Sequence, residues 1–160
     1  MEHLWSPWRM EYVQAAGEDV GGCIFCDKPA LGEDQKAMIL TRGEHAFVML
    51  NAYPYNPGHL MVAPFRHIGA FEALTPEELV DASSLLQRSI RALKEVSSPH
   101  GFNLGMNLGK VAGAGVADHL HWHLVPRWDG DTNFMPVVGD TKVLPELLSG
   151  TYAKLRPRLG

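Results

Sequence analysis

No run of 18 consecutive apolar residues occurs in this chain of 160 residues, so no membrane-spanning helix is expected. There is no Lys/Arg block either: 14 Lys+Arg against 18 Asp+Glu give a formal net charge of −4. Proteins that coat duplex DNA or RNA show a basic patch, so no nucleic-acid polymer is expected as a partner. A nucleotide is not excluded, because one phosphate group can be held by local donors. The opening residues, Met1-Glu2-His3-Leu4-Trp5-Ser6-Pro7-Trp8-Arg9, lack the apolar stretch of a secretory leader, and the expected compartment is the cytoplasm. Internal repeats and low-complexity linkers are absent as well. Apolar content of 46% and charged content of 20% are ordinary globular values. One domain over residues 1–160 is expected, with a core at about 20–130, an N-terminal arm and a C-terminal tail.

Cysteine is scarce: the only two stand in Cys23-Ile24-Phe25-Cys26. In a cytoplasmic chain this spacing points to metal binding or redox chemistry more than to a structural disulfide. The redox reading needs the pair at a helix start inside a βαβ unit. Here it follows Gly21-Gly22 and precedes Asp27-Lys28-Pro29, which is loop-like. A structural zinc site needs four ligands, of which two cysteines supply half, so two histidines would have to complete it. The alternative is an empty, reduced dithiol.

Histidine, by contrast, is concentrated. In His119-Leu120-His121-Trp122-His123-Leu124-Val125 it recurs at every second position. In an extended strand that period places all three imidazoles on one face and Leu120, Trp122 and Leu124 on the other. Three groups titrating near neutral pH on one surface suit phosphate chemistry. A neutral imidazole is a nucleophile, and its protonated neighbours can hold anionic oxygens. Upstream lies a small-residue loop, Asn107-Leu108-Gly109-Lys110-Val111-Ala112-Gly113-Ala114-Gly115, whose backbone a phosphate could approach closely. A plain metal site or a solvated strand face are the competing readings of the histidines.

The remaining elements are legible in outline. Residues 5–15 are read as a short helix or arm, with Trp5, Trp8 and Tyr12 roughly on one side. Strands are expected at 46–50, 59–64, 102–107 and 119–125. Thr75-Pro76-Glu77-Glu78 reads as a helix start, with Thr75 as N-cap, Pro76 at the first helical position and Glu78 closing a capping box. Leu79, Ala82, Leu86, Ile90, Leu93 and Ser97 follow near helical spacing, so a long amphipathic helix should end near Ser97-Ser98-Pro99. A turn over 129–134 and a short helix over 144–155 complete the list. Strands and one long helix without βαβ alternation mean α+β with an antiparallel sheet.

Residues 119–125 match in full the motif His-φ-His-φ-His-φ-φ, with φ apolar, of the histidine-triad (HIT) nucleotide hydrolases and transferases. Asn51-Ala52-Tyr53-Pro54-Tyr55-Asn56-Pro57-Gly58-His59-Leu60-Met61-Val62-Ala63-Pro64 is similar to the family's second signature, and Cys23-Ile24-Phe25-Cys26 to the zinc-binding opening of many bacterial members. The resemblance spans residues 5–145 and implies a five-stranded antiparallel sheet with one long and one or more short helices, often paired as a homodimer. It also implies a structural Cys2His2 zinc site of Cys23, Cys26, His67 and His119.

For the chemistry, the middle histidine, His121, is the candidate nucleophile towards an α-phosphorus, and His123 the candidate donor to the phosphate or bridging oxygen. The resemblance gives His59 the role of orienting His121 or contacting the phosphate region. The amides of Gly113, Ala114 and Gly115 and the Asn107 side chain are expected on the non-bridging oxygens. The resemblance puts Asn51 on the ribose hydroxyls, against the plainer reading of a strand-capping turn residue. Many members carry Gln or Ser just before the histidine strand. Gly115 stands there in this chain, so backbone contacts or a different handling of the leaving group must replace that side chain. Pro126-Arg127-Trp128-Asp129-Gly130-Asp131-Thr132-Asn133-Phe134 resembles the diadenosine-polyphosphate phosphorylase branch. Trp128 there either approaches the nucleotide, stacking on a base, or packs at the sheet end.

The function expected is therefore cleavage of dinucleoside polyphosphates, with an adenine nucleotide as substrate, through a nucleotidyl-His121 intermediate. The alternatives are an adenosine 5′-monophosphoramidase or aminoacyl-adenylate hydrolase, and a non-catalytic nucleotide-binding module.

Overall fold

The computed structural model describes residues 22–131 and 146–160. The expected N-terminal arm with Trp5, Trp8 and Tyr12 lies outside them. The described elements run α1 (Ile24–Ala30), α2 (Asp34–Ala37), β1 (Ile39–Arg42), β2 (Ala46–Leu50), β3 (Leu60–Pro64), a 3-10 turn (Phe71–Ala73), α3 (Pro76–Ser97), β4 (Gly101–Met106), a 3-10 turn (Lys110–Ala112), β5 (Trp122–Arg127) and α4 (Leu148–Leu159). The five strands form one sheet in the order β1-β2-β3-β5-β4, and every neighbouring pair is antiparallel. This is the α+β architecture that the strand and helix pattern predicts.

Side-chain alternation on the central strands builds two hydrophobic layers. Val48, Leu50, Leu60, Val62 and Leu124 pack against Leu85, Leu86 and Leu93 of α3 and Tyr152, Leu155 and Leu159 of α4. Phe47, Met49, Met61 and Ala63 point the other way, where Phe25 of α1 and Ala37 of α2 cover them. All five residues of β2 and of β3 are therefore buried. Each fully buried Leu, Val or Phe contributes on the order of 2 kcal/mol, which makes these two strands the frame for whatever they carry.

The long helix begins as the sequence predicts. Thr75 Oγ1 accepts the Glu78 amide at 3.2 Å, and Glu78 Oε2 accepts the Thr75 amide at 2.9 Å. It ends at Ser97, with Ser98 at φ 45° before Pro99. The C-terminal helix starts and ends four residues later than the expected 144–155. It seals the β1 edge: the Tyr152 hydroxyl donates to Ile39 O at 3.0 Å, and the Arg156 guanidinium donates to Leu40 O.

The histidine strand starts three residues later than the expected 119–125 and ends two residues later, at Arg127. Pairing on both sides of β5 stops at Trp122, which faces Val62 and Met106. Proline explains the stop on one side, because Pro64 has no amide hydrogen to offer. In addition, the Leu120 amide turns aside to donate to Ile68 O at 2.7 Å.

Glu78 also accepts two bonds from Arg66, at 2.8 and 2.7 Å, and is buried. The Arg66 guanidinium, helped by the Thr75 amide, holds this carboxyl at about 2, below its ordinary 4.5. A carboxyl depressed on folding stabilises the fold above its ordinary pKa and loses that contribution as pH falls through the folded value. The melting temperature should therefore drop between about pH 4.5 and pH 2. Glu78→Gln should lower it at neutral pH and flatten that limb; an unchanged acid limb in calorimetry would dismiss the pair as its cause.

Candidate active site and metal centre

The three imidazoles of the triad share one face, although only His123 lies within the paired strand. Phe25 meets His119 at a ring-centroid distance of 5.3 Å and His121 at 4.6 Å, and His121 meets His123 at 4.9 Å. Leu120 turns into a small cluster with Ile68 and Leu74, and Leu124 into the main core.

Hydrogen-bond partners assign the tautomers, since a backbone carbonyl only accepts and a backbone amide only donates. His121 Nδ1 lies 3.0 Å from His119 O, so Nδ1 carries the proton and Nε2 presents a lone pair. The Tyr55 amide donates to His59 Nδ1 at 3.1 Å, which puts the His59 proton on Nε2. His59 Nε2 lies 3.0 Å from His123 Nδ1, which therefore accepts, leaving the proton of a neutral His123 on Nε2. Adjacent rings thus offer one lone pair, on His121, and one N–H, on His123. Burial pulls the His121 pKa down against the opposing hydrogen bond to His119 O, and so keeps the ring neutral.

His59 is placed by the turn before β3. Gly58 has φ +82°, and a Cβ there would meet Leu93 Cδ2 at 2.9 Å, so the turn requires glycine. The buried Asn56 amide pins the same turn to the far end of β5, donating to Pro126 O at 2.9 Å and Asp131 Oδ2 at 2.8 Å. Arg127 grips Asp131 at 2.6 and 2.8 Å and holds its carboxyl well below the usual carboxylate range.

The other candidates fall as follows. Asn51 Oδ1 accepts the Tyr53 amide at 2.8 Å, a turn-forming bond, while its own amide donates to His59 O. Asn107 Nδ2 reaches Gly113 O at 3.3 Å across the glycine loop. The Gly113 amide donates to Lys110 O and the Ala114 amide to Gly109 O, so both are engaged inside that loop. Gly115 is half-buried. Trp128 lies past the end of β5, seven residues from His121, or about 20 Å along a strand. Its indole donates to Ser97 O at 3.2 Å. The structure thus brings His59, His121 and His123 together and sets Trp128 apart from them within one chain.

On the other side of Phe25 the two cysteines meet two histidines. Cys23 Sγ is 3.3 Å from His119 Nδ1, Cys26 Sγ is 3.4 Å from His67 Nδ1 and 3.5 Å from His119 Nδ1, and the two Nδ1 atoms are 3.2 Å apart. All four atoms lie within 4.8 Å of one another. Sulfur and nitrogen ligands around one small tetrahedral ion stand about 3.3–3.6 Å apart, so these spacings fit one. His119 Nε2 bonds Pro64 O at 2.8 Å, which directs the Nδ1 lone pair at the centre of the group. His67 is brought alongside by the Leu120 to Ile68 bond and by Gly69, where a Cβ would meet Ala117 O at 2.9 Å. Burial, reinforced by Cys23, pushes the Cys26 thiol up, a cost that a cation at the centre would reverse. The four residues could hold a metal ion.

Some contributors were not assigned a role from the sequence. Phe25 and Tyr55 stand inside the quoted motifs, yet only the fold shows Phe25 against His121 and Tyr55 against His59, at 4.6 Å each. Asn56, beside the Pro-Gly-His turn, reads as an ordinary turn residue. The Pro64 carbonyl leaves no sequence signal at all.

A HIT domain model matches residues 33–130, and the chain belongs to the histidine-triad family. It is 44% identical over 158 residues to a protein of Mycobacterium tuberculosis named AP-4-A phosphorylase, covering 94% of this chain and 80% of that one. It is 30% identical over 95 residues to the asymmetrical bis(5′-nucleosyl)-tetraphosphatase of Schizosaccharomyces pombe, covering 59% of this chain and 52% of that one. Both names are those of enzymes. The crystal structure of a zinc-bound histidine triad family protein from Mycobacterium smegmatis superposes with a TM-score of 0.69 at 25% identity, covering 86% of this chain and 92% of that one. Among the described residues no helix is long and apolar enough to cross a membrane.

Cobalt(II) added to metal-free protein should give the visible absorption of a tetrahedral thiolate site. Cys26→Ser should weaken or abolish that band; an identical spectrum from the variant would remove Cys26 from the ligand set.

Proposed function

We propose that this protein cleaves dinucleoside polyphosphates at an α-phosphate, passing the nucleotidyl group through His121. The observation that carries the reading is the tautomer pair: a buried, neutral His121 with its Nε2 lone pair available, beside a His123 that carries a proton on Nε2. The 44% identity to an AP-4-A phosphorylase supports the substrate class, an adenine dinucleotide.

In the first step His121 Nε2 attacks the α-phosphorus and forms the N–P bond. The bond to the leaving polyphosphate oxygen breaks, and the His123 Nε2–H donates a hydrogen bond to that oxygen as it departs as a terminal phosphate anion. The nucleotidyl-imidazolium keeps its Nδ1–H on His119 O, which stabilises the charge that develops. In the second step an acceptor oxygen, from inorganic phosphate, attacks the same phosphorus. The N–P bond breaks and its electron pair returns to His121 Nε2. Diadenosine tetraphosphate then yields ATP and ADP. His59 orients His123 and keeps its proton on Nε2. Asn107 and the amide of Gly115 are assigned to the non-bridging oxygens, and Asn51 to the ribose. Gly113 and Ala114 would join them only after releasing their bonds within the loop.

Two thiolate and two imidazole ligands at tetrahedral spacing suit zinc, so Cys23, Cys26, His67 and His119 are read as a closed structural zinc site. Reduced, metal-binding cysteines suit the cytoplasm. A homodimer joined through β4 fits the sheet: Asn103, Leu104 and Gly105 are exposed there, with Leu104 52% exposed. Light scattering should give twice the chain mass, and Leu104→Lys should shift it towards the monomer; a monomeric wild type would exclude the pairing.

Product analysis tests the reaction. Diadenosine tetraphosphate should give ADP plus ATP only when inorganic phosphate is present. AMP plus ATP without phosphate would make water the acceptor, and cleavage of adenosine 5′-monophosphoramidate alone would replace the substrate class. His121→Ala should bind nucleotide without turnover, and His123→Ala should lose about 100- to 1000-fold in kcat.

A further inference from the structure

The nucleophilic ring has two torsions to fix, and the bond from Nδ1 to His119 O restrains only the edge of the imidazole. Its flat face is covered by Phe25, whose ring lies 4.6 Å away at an interplanar angle of 27°. Phe25 is 1% exposed, so nothing outside the protein reaches it. It sits between Cys23 and Cys26 in the first turn of α1, where the amides of Cys26 and Asp27 both donate to Cys23 O. A helix of seven residues does not hold its own place in water. Its first turn is held by Phe25, inserted among Ile39, Phe47, Met49 and Met61, and by the two sulfurs against His67 and His119, while Arg42 donates to Pro29 O at its far end.

We propose that Phe25 is a positioning residue: stacked on His121 from the helix that carries the two cysteines, it fixes the plane of the nucleophilic imidazole, and the metal centre acts on the reaction through it. The proposal rests on the reading of His121 as nucleophile. It gives the metal centre a task beyond stability. An ion held by Cys23, Cys26, His67 and His119 would clamp α1; α1 carries the Phe25 ring, and the ring sets the line along which the His121 lone pair meets phosphorus. Misplacement of a reacting group by about 1 Å can cost about 100-fold in rate.

The experiment compares the metal-loaded protein with Phe25→Leu, Leu85→Ala and His121→Ala. Leu85 is as deeply buried as Phe25 but lies in the layer on the opposite side of the sheet. Phe25→Leu should lower kcat about 10- to 100-fold while KM and nucleotide binding stay unchanged. The His121 ring-proton resonance, identified by its loss in His121→Ala, should move downfield as the ring-current effect of Phe25 disappears. Chelating the metal from the wild type should move the same resonance, and in Phe25→Leu chelation should add no further shift. Leu85→Ala should lose stability and keep its kcat. Phe25→Met serves if the leucine variant does not fold. An unchanged kcat or resonance in Phe25→Leu, or an equal kcat loss in Leu85→Ala, overturns the proposal. A fully active His121→Ala removes the nucleophile reading itself, whereas an inert His121→Ala beside a fully active Phe25→Leu removes the positioning role alone.

Discussion

His119 is the residue on which the site depends, because it is used at three points at once. Its Nε2 bonds Pro64 O, its Nδ1 faces Cys23, Cys26 and His67, and its carbonyl accepts the proton of His121 Nδ1. The first contact ties the chain to the end of β3, the second to α1, and the third sets the tautomer of the residue two positions on. A histidine with no exposed surface can do this only if every polar atom is matched, since an unmatched buried group costs about 1–3 kcal/mol. No buried side-chain nitrogen or oxygen among the described residues lacks a partner.

Burial and hydrogen bonding act on the histidines in opposite directions. Taking His119 and His121 out of water disfavours their charged forms, while their bonds to Pro64 O and His119 O favour retaining the proton. Burial prevails for both, so the rings are neutral and each neutral ring has one lone pair to direct. For His59 and His123 the donors and acceptors are ordered by relay, in which a backbone amide from Tyr55 starts the chain. These proton positions follow from backbone geometry.

Much of this was legible because the informative residues obey local rules. The capping box at Thr75, the stop at Ser98-Pro99 and the short apolar runs of β2 and β3 each depend on neighbours close in sequence. The three-histidine period survived even though pairing ends at Trp122, because alternation needs only the chain's direction and not its partner strand. The grouping of Cys23 and Cys26 with His67 and His119 came from family likeness, and the distances agree with it. What could not be read depends on contacts between distant segments. Phe25 reaches His121 across 96 positions, Asn56 reaches Asp131 across 75, and the use of the Pro64 carbonyl involves no side chain that could have signalled it. The internal bonds of Gly113 and Ala114 follow from the tight turn after Lys110, which a glycine-rich composition permits without specifying.

The two margins of the sheet are unlike. Along β1, Tyr152 and Arg156 occupy the carbonyls of Ile39 and Leu40, whereas along β4 the middle residues stand open among those described. A sheet with one sealed margin is a terminator as well as a template. Among the described residues β4 is the margin left for another strand, and if the newcomer is a second copy joining by its own β4, that margin is consumed in both copies. Growth by strand addition then halts at two, and the route to a fibre is closed by the placement of a C-terminal helix far from the chemistry.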